Sequence, residues 1–346
     1  MMSWEFPPRV LGGLGRHVGE LVPALRSLGH DVRVVAPDST DLGGDLLAHV
    51  AAGQAELIRA GRNAVDGWTP DVVHGHDWLT AVAARELARH TRAPLVTTVH
   101  ATERGRQQGY LTSPLQRQID ASERRLCLDS DVVLACSQYQ ADELDRLFHV
   151  PATVIGNGCT LTFNPKPKDA NLIAFAGRLV HEKGVQELIK ALPLLSEEFP
   201  DIHCVIAGDG PLYAGQLDRA ERYGVADRIR WAGFLDQRAT TDLLAHAAVV
   251  VVPSLYEPFG LVALEAQAVG TPVAVSDVGG LRELVTDGIT GVRFEPESPA
   301  AIATAIRRLL RDPKNATAMA KTARQKAETD FSWTAVAQRV AAAYPR

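Results

Sequence analysis

Short apolar, β-branched runs recur along the chain, separated by segments whose apolar residues return every three to four positions. The runs are DVRVVAP (31–37), DVVHGHD (71–77), PLVTTVH (94–100) and DVVLACS (131–137), then NLIAFAG (171–177), HCVIAGDG (203–210), RIRWAG (228–233), AVVVVPS (248–254) and TPVAVSD (271–277). Between them lie segments such as GRHVGELVPALRSLG (15–29), GVQELIKALPLLSEEFP (184–200) and TTDLLAHA (240–247). Near-continuous apolar strands alternating with amphipathic helices predict α/β architecture, with parallel sheets covered on both faces. The alternation breaks at VIGNGCTLTFNPKPKDA (154–170), rich in turn formers, so two doubly wound domains are expected with their seam near Asn157 and Gly158. The tail from Pro313 reads as helix with a break at DFSW, near Phe331 to Trp333. The chain is short for such domains at 1–4, 36–47 and 159–171, where segments are expected to have been deleted or left out.

Length agrees with two cores, since 346 residues at 46% hydrophobic content exceed one comfortable domain. A formal charge of −5 without a basic tract excludes a nucleic-acid or anionic-membrane footprint, so any anionic ligand is held locally. Cys127, Cys136, Cys159 and Cys204 form no CxxC pair, which points away from zinc knuckles and disulfide scaffolds and toward a reducing cytoplasm. No apolar run reaches the roughly 18–20 residues of a membrane span.

Candidate chemistry gathers at strand ends, where parallel sheets bind ligands. The stretch EPFGLVALE (257–265) follows a buried strand. Pro258 suits a first helical position, and Phe259, Gly260 and Leu261 offer backbone N–H groups to an anion. Continuous helix would set Glu265 about 12 Å along the axis from Glu257 and about 80° round it. Two carboxylates so spaced match a nucleotide sugar, one holding sugar hydroxyls and the other a ribose diol; the bland alternative is a charged helix start and a solvated face. In AGRLVHEKG (176–184), Arg178 and Lys183 leave a strand in a loop where two cations converge on phosphates, unless they are ordinary surface bases.

In the first half, VLGGLGRHV (10–18) supplies Gly12, Gly13 and Gly15, off the GxGxxG spacing of a dinucleotide fingerprint. These glycines either let backbone approach a phosphate or sugar, or simply make a tight turn. His100 ends a strand, where an imidazole enters a ligand site, although a lone histidine is more often structural. In VVHGHDWLT (72–80), His74-x-His76 invites a metal reading, but Trp78 and Leu79 stand where a metallohydrolase needs Asp-His, and that reading is rejected. Asp77 and Trp78 suit a sugar through hydrogen bonds and an apolar ring face. No P-loop, nucleophile elbow or Asp-x-Asp site is present, and no metal or other cofactor is required.

With these motifs in view, the chain resembles the retaining glycosyltransferases of family GT4. The resemblance runs nearly end to end through GGLGRHV, HGHDWL, TVHATERGR, ACSQY, IGNG, AGRLVHEKG, AGDGP and PSLYEPFGLVALEAQAVGTPVAVSDVGG. It is strongest toward the glycogen synthase and actinobacterial α-1,4-glucosyltransferase branch. It implies the GT-B fold, with two Rossmann-like domains facing a central cleft: residues 1–157 on the acceptor side, 158–330 binding nucleotide sugar, and 331–346 packing back on the first domain. It implies Arg178 and Lys183 on the donor diphosphate, Glu265 on the ribose, and Glu257 beside the donor sugar with the Phe259 to Leu261 amides nearby. It also implies Gly13 approaching the diphosphate, His100 the transferred sugar, and Asp77 lining the acceptor side. Cys159 and Thr160 depart from the family's usual Asn-Gly-Val-Asp at the hinge.

The expected activity is therefore hexosyl transfer with retention, independent of metal, from UDP- or ADP-glucose to an α-1,4-glucan or related oligosaccharide. A front-face route is implied, in which the leaving phosphate oxygen takes the acceptor's proton. The competing readings are a mannosyltransferase on a lipid or inositol-phosphate acceptor, a nucleotide-sugar epimerase, and a noncatalytic nucleotide-sugar sensor. Partners are expected to be donor and glycan acceptor, with no nucleic acid.

Overall fold

A computed structural model describes residues 1–9, 12–38, 46–161 and 167–345. The chain divides into two compact units, one of Met1–Gly158 with Trp333–Arg346 and the other of Cys159–Ser332. The change of unit thus falls one residue after Gly158 begins the expected second domain, and the chain returns at Trp333 rather than Phe331. Parts of the two short connections, 39–45 and 162–166, lie outside the described residues.

In unit 1, β1 (Val73–His76), β2 (Leu95–Val99), β3 (Val132–Ala135) and β4 (Thr153–Val154) form a parallel sheet in that order. The expected strand at 31–37 and the short segment at 1–4 meet only as bridges: Met2 pairs with both Val35 and Gly75. Even so, Met2 N–H donates to the His74 carbonyl at 2.7 Å, His76 N–H to Met2 at 3.1 Å and Ser3 N–H to Val35 at 3.1 Å. Residues 1–3 therefore lie between the Val35 segment and β1. The sheet reverses its direction of growth there, between the Met2 segment and β1.

Helix α1 (Gly13–Ser27) buries Val18, Leu21, Val22 and Leu25 at helical spacing, with His17 on the same stripe. The expected break in the tail separates helix Pro313–Asp330 from helix Trp333–Ala343. The latter sets Val336, Ala337 and Val340 against Leu21 and Leu25 of α1 and Val96 and Leu134 of the sheet. Burying each valine contributes roughly 1.5–3 kcal/mol, which holds the C-terminal segment to unit 1. Gly158 permits this, since a Cβ there would overlap the Trp333 ring.

In unit 2 the sheet order is β10-β9-β8-β5-β6-β7, all parallel, from β5 (Asp169–Ala176), β6 (His203–Ala207), β7 (Ile229–Gly233), β8 (Ala247–Val252), β9 (Val273–Ser276) and β10 (Val292–Phe294). Its core joins Ile173, Phe175, Ile206, Val249 and Val251 of the strands to Leu188, Ile189, Ile302 and Ile306 of the helices. The order runs outward in both directions from β5 and β8, so the switch point lies between their carboxyl ends. Loops leaving that point diverge to opposite faces of the sheet, and the opening between them is where such sheets take ligands. Among the described residues, no helix is long and apolar enough to cross a membrane.

Candidate active site

The loops leaving β5 and β8 are the AGRLVHEKG and PSLYEPFG segments, and they are fastened to each other. The Glu182 carbonyl accepts from Leu255 N–H at 2.8 Å. Gly184, at φ 68°, packs so tightly that a Cβ would overlap the Pro253 carbonyl oxygen. Across this seam Lys183 Nζ meets Glu257 Oε2 at 2.7 Å, and Ser254 Oγ donates to the same oxygen at 3.3 Å. The pair is only partly screened, with side-chain exposures of 24% and 14%. The β6 loop closes in from the other side: Leu179 N–H donates to Asp209 at 2.8 Å, and a Cβ on Gly208 would overlap the Gly177 carbonyl. Arg178 stands at the rim with 60% of its side chain exposed and a 3.4 Å contact to Glu182.

Helix Leu261–Ala268 begins later than the sequence suggests. Its N-cap is Gly260, at φ 109° in the left-handed region, and no side chain among the described residues caps it. Pro258 is therefore in the preceding turn and not at a first helical position. Glu257 lies ahead of the helix, so the helical arithmetic relating it to Glu265 does not apply. The physical reason is the turn itself, in which Gly280 N–H donates to the Glu257 carbonyl at 2.9 Å and a Cβ on Gly260 would stand 2.6 Å from Leu281. Phe259 is buried edge-to-face against Phe331, and Leu261 is half-buried. Glu265 takes a long bond from Gln237 at 3.4 Å, and its charge, after burial, helps raise the Cys159 thiol to about 12.

Unit 1 offers a different chemistry at its own switch point. His76 ends β1, His100 follows β2, and His17 enters from α1. Their rings stand 5.5 Å (His17 to His76), 4.8 Å (His17 to His100) and 5.5 Å (His76 to His100) apart, and His76 Nδ1 lies 3.2 Å from His100 Nε2. Burial holds His17 and His76 well below the ordinary imidazole range, and burial followed by the Arg106 charge lowers His100 to about 4. All three are neutral at neutral pH. Asp77, at φ 57°, accepts the His100 backbone N–H at 2.7 Å and so fixes the turn that presents that imidazole. Burial raises its carboxyl to about 6, against the opposing pull of that bond and of Arg106. Trp78 instead packs against the core cluster of Met2, Trp4 and Leu57 and lines a cavity of about 610 Å³ with residues of α2 (Leu46–Ala64) and α3 (Ala81–Thr91). Gly13 is exposed in the first turn of α1, where the neighbouring Gly12 N–H donates to Glu5 Oε2 at 2.9 Å.

Residues 11–163 match the family described as Glycosyltransferase Family 4, and residues 162–326 match Glycosyl transferases group 1. Glycogen synthase of Mycobacterium tuberculosis is 40% identical over an alignment of 387 positions covering 99% of this chain and 93% of that protein. The chain belongs to glycosyltransferase family 4. The alignment is longer than the 346 residues of this glycosyltransferase, so its relative carries segments that it lacks. Alpha-maltose-1-phosphate synthase of Mycolicibacterium smegmatis is 30% identical over 99% of this chain and 98% of its own. The solved sucrose-phosphate synthase of Thermosynechococcus elongatus superposes with a TM-score of 0.82 at 26% identity, covering 96% of this chain and 92% of its own. The glycosyltransferase has the GT-B fold, built on the two parallel sheets described above.

Structure thus brings Lys183 and Glu257 together and keeps Arg178 and the Gly260 turn beside the same loops. Asp77 bonds to the His100 backbone, while Trp78 packs on the core cluster and lines the cavity beside α2 and α3. Sequence reading passed over Ser254, Gly184 and Gly208 just after β6, which shape the loops at the unit 2 switch point, and over His17; it weighed His76 only with His74 as a metal pair and set that reading aside. The signal for His17 was its place on the apolar stripe of α1; for His76 it was period-two alternation, which turns His74 and His76 to one face of β1.

Proposed function

We propose that this hexosyltransferase moves glucose from a nucleotide diphosphate glucose to an α-1,4-glucan or related oligosaccharide, with retention of configuration. The observation that carries the reading is the Lys183–Glu257 pair, suspended between two interlocked loops at the switch point of unit 2. Lys183 and Arg178 hold the diphosphate, assisted by the backbone from Phe259 to Leu261, and Glu257 orients the sugar hydroxyls. Glu265 takes the ribose diol. From unit 1, His100 contacts the transferred sugar as a neutral hydrogen-bonding group, with Asp77 acting through it as a positioning residue. Gly13 approaches the diphosphate.

In the step itself the bond from the anomeric carbon to the leaving phosphate oxygen breaks as the acceptor oxygen bonds to the same face. The acceptor's proton passes to that phosphate oxygen, so the protein need supply neither base nor metal. Its contribution is positioning and charge, each fixed donor to a developing anion contributing about 3–4 kcal/mol. Similarity to glycogen synthase supports glucose as the transferred sugar and a glucan as its acceptor, and four buried free cysteines suit a reducing cytoplasm.

A second acceptor is favoured by the relative named for making maltose 1-phosphate: glucose 1-phosphate. The decisive assay incubates the protein with UDP-glucose or ADP-glucose, each with maltooligosaccharide, glucose 1-phosphate or no acceptor, in chelator. Chain extension of maltooligosaccharide supports the proposal, and maltose 1-phosphate as the main product replaces its acceptor. Product formed without acceptor, or donor binding without turnover, refutes transfer.

A further inference from the structure

Two buried imidazoles and one half-buried one converge in unit 1 with more hydrogen-bonding capacity than the described residues around them satisfy. His17 is 4% exposed and His76 is fully buried. Among the described residues, neither His17 ring nitrogen nor His76 Nε2 has a hydrogen-bond partner, and neither does the buried Oδ1 of Asn157. Asn157 interacts with His17 without forming a bond of normal geometry. A buried polar group without a partner costs about 1–3 kcal/mol, so a cluster of them calls for a ligand.

The spacing names the ligand. One nitrogen from each of His17, His76 and His100 lies within 4.8 Å of the other two. In a tetrahedral zinc site, with metal–nitrogen bonds of about 2.0–2.1 Å, ligand nitrogens stand roughly 3.3 Å apart and ring centroids roughly 5 Å apart. Here the three centroid separations run from 4.8 to 5.5 Å; His76 Nδ1 and His100 Nε2, 3.2 Å apart, share a hydrogen bond that an ion would replace. His74 is not part of the set, because Thr98 Oγ1 at 2.8 Å and Tyr344 OH at 3.0 Å occupy its nitrogens. The His-x-His pair in the sequence is thus not the cluster; the cluster takes one histidine from each of three elements.

We propose that His17, His76 and His100 form a binding site for a borderline divalent metal ion of the zinc type, with solvent or an anion completing its coordination. Neutral imidazole is the ligand form such ions take, and half-buried His100 leaves a route of entry. The neighbouring Asn157 side chain interacts with His17, as outer-shell partners of ligating imidazoles do. An ion here takes the lone pair of His100, so occupancy inhibits sugar transfer and removal of the ion restores it. This last consequence rests on the role proposed for His100; metal binding does not.

Tag-free protein, stripped with chelator and then titrated with Co2+ and Zn2+, provides the test. One equivalent of Co2+ should give the strong visible absorption of a tetrahedral ion, displaced by Zn2+. Outer-shell substitutions weaken metal sites by about 10–100-fold, so removing a ligand in His17→Ala or His76→Ala should weaken uptake by at least about 100-fold. His74→Gln should retain it. His17→Cys keeps a ligating atom and should restore uptake with a sulfur-to-cobalt charge-transfer band, which also covers failure of the alanine variants to fold. Absence of stoichiometric uptake, or uptake unchanged in folded His17→Ala and His76→Ala, overturns the site. Uptake with full transfer activity upholds the site and counts against the placement of His100 on the sugar.

Discussion

The two units place their functional groups by the same topological rule and fill the position with opposite chemistry. In unit 2 the loops at the switch point carry full charges, already paired across the seam as Lys183 and Glu257. In unit 1 the corresponding position holds neutral imidazoles, kept neutral by burial. A sheet switch point therefore prescribes where a ligand sits and leaves its charge to the loops. Charged loops suit a diphosphate; a neutral, hydrogen-bonding pocket suits a sugar.

The largest test of that contrast is removal of charge from unit 2. Lys183→Ala leaves the Glu257 carboxylate without its cation and should lower kcat/KM by roughly 100- to 1,000-fold, measured as donor-dependent glucan extension. Arg178→Ala should lower it by about 10- to 100-fold, while the denaturation midpoint moves by less than about 0.5 kcal/mol equivalent, since the side chain is mostly exposed. A loss of folding in step with activity would deny Arg178 a ligand role.

Next comes the seam that aims those charges. Gly184→Ala forces a side chain onto a left-handed residue and into the Pro253 carbonyl, so unfolding free energy should fall by about 2–4 kcal/mol. Donor affinity should fall with it. Unchanged denaturant melting would show that the two loops are not locked as described.

The smallest effect is pH dependence, which should separate the units. His17, His74, His76 and His100 have folded-state pKa values below their unfolded ones, so their contribution is present above about 6.5 and is lost as pH falls, through about 4 for His100. Asp77, raised to about 6, and Glu123, raised to about 8, act oppositely, their contribution being lost as pH rises through those values. With four imidazoles against two carboxyls, amide exchange in unit 1, taken relative to its intrinsic rate at each pH, should quicken at least about tenfold on going from pH 7 to 5, or ~1.4 kcal/mol. Among the described residues of unit 2, the groups moved from their ordinary pKa lie outside that window, with Lys168 at about 8 and Cys159 and Cys204 at about 12. Equal acceleration in both units would contradict the contrast.

Much of this was legible in the sequence. Parallel strands announced themselves as apolar runs, and Arg178, Lys183, Glu257 and His100 stood at strand ends where ligand chemistry belongs. What escaped depended on contacts that no local pattern encodes. Pro258 carries a genuine helix-start preference, yet Gly260 in the left-handed region resets the helix to Leu261. Trp78 also packs on the core cluster of Met2, Trp4 and Leu57, a contact that its neighbourhood beside Asp77 does not show. His17 meets His76 and His100 only through tertiary folding, although its position on the buried stripe of α1 was a usable clue.

The central claim is that Lys183 and Glu257 act on the donor as one unit, and a double-mutant cycle in kcat/KM measures that directly. With Lys183→Ala, Glu257→Gln and their combination, the account predicts strong coupling: the double variant falls to about the level of the worse single variant, a departure from additivity of at least ~1.5 kcal/mol. Additive losses would mean that neither side chain depends on the other to reach its part of the donor, and the account of the donor site would be wrong.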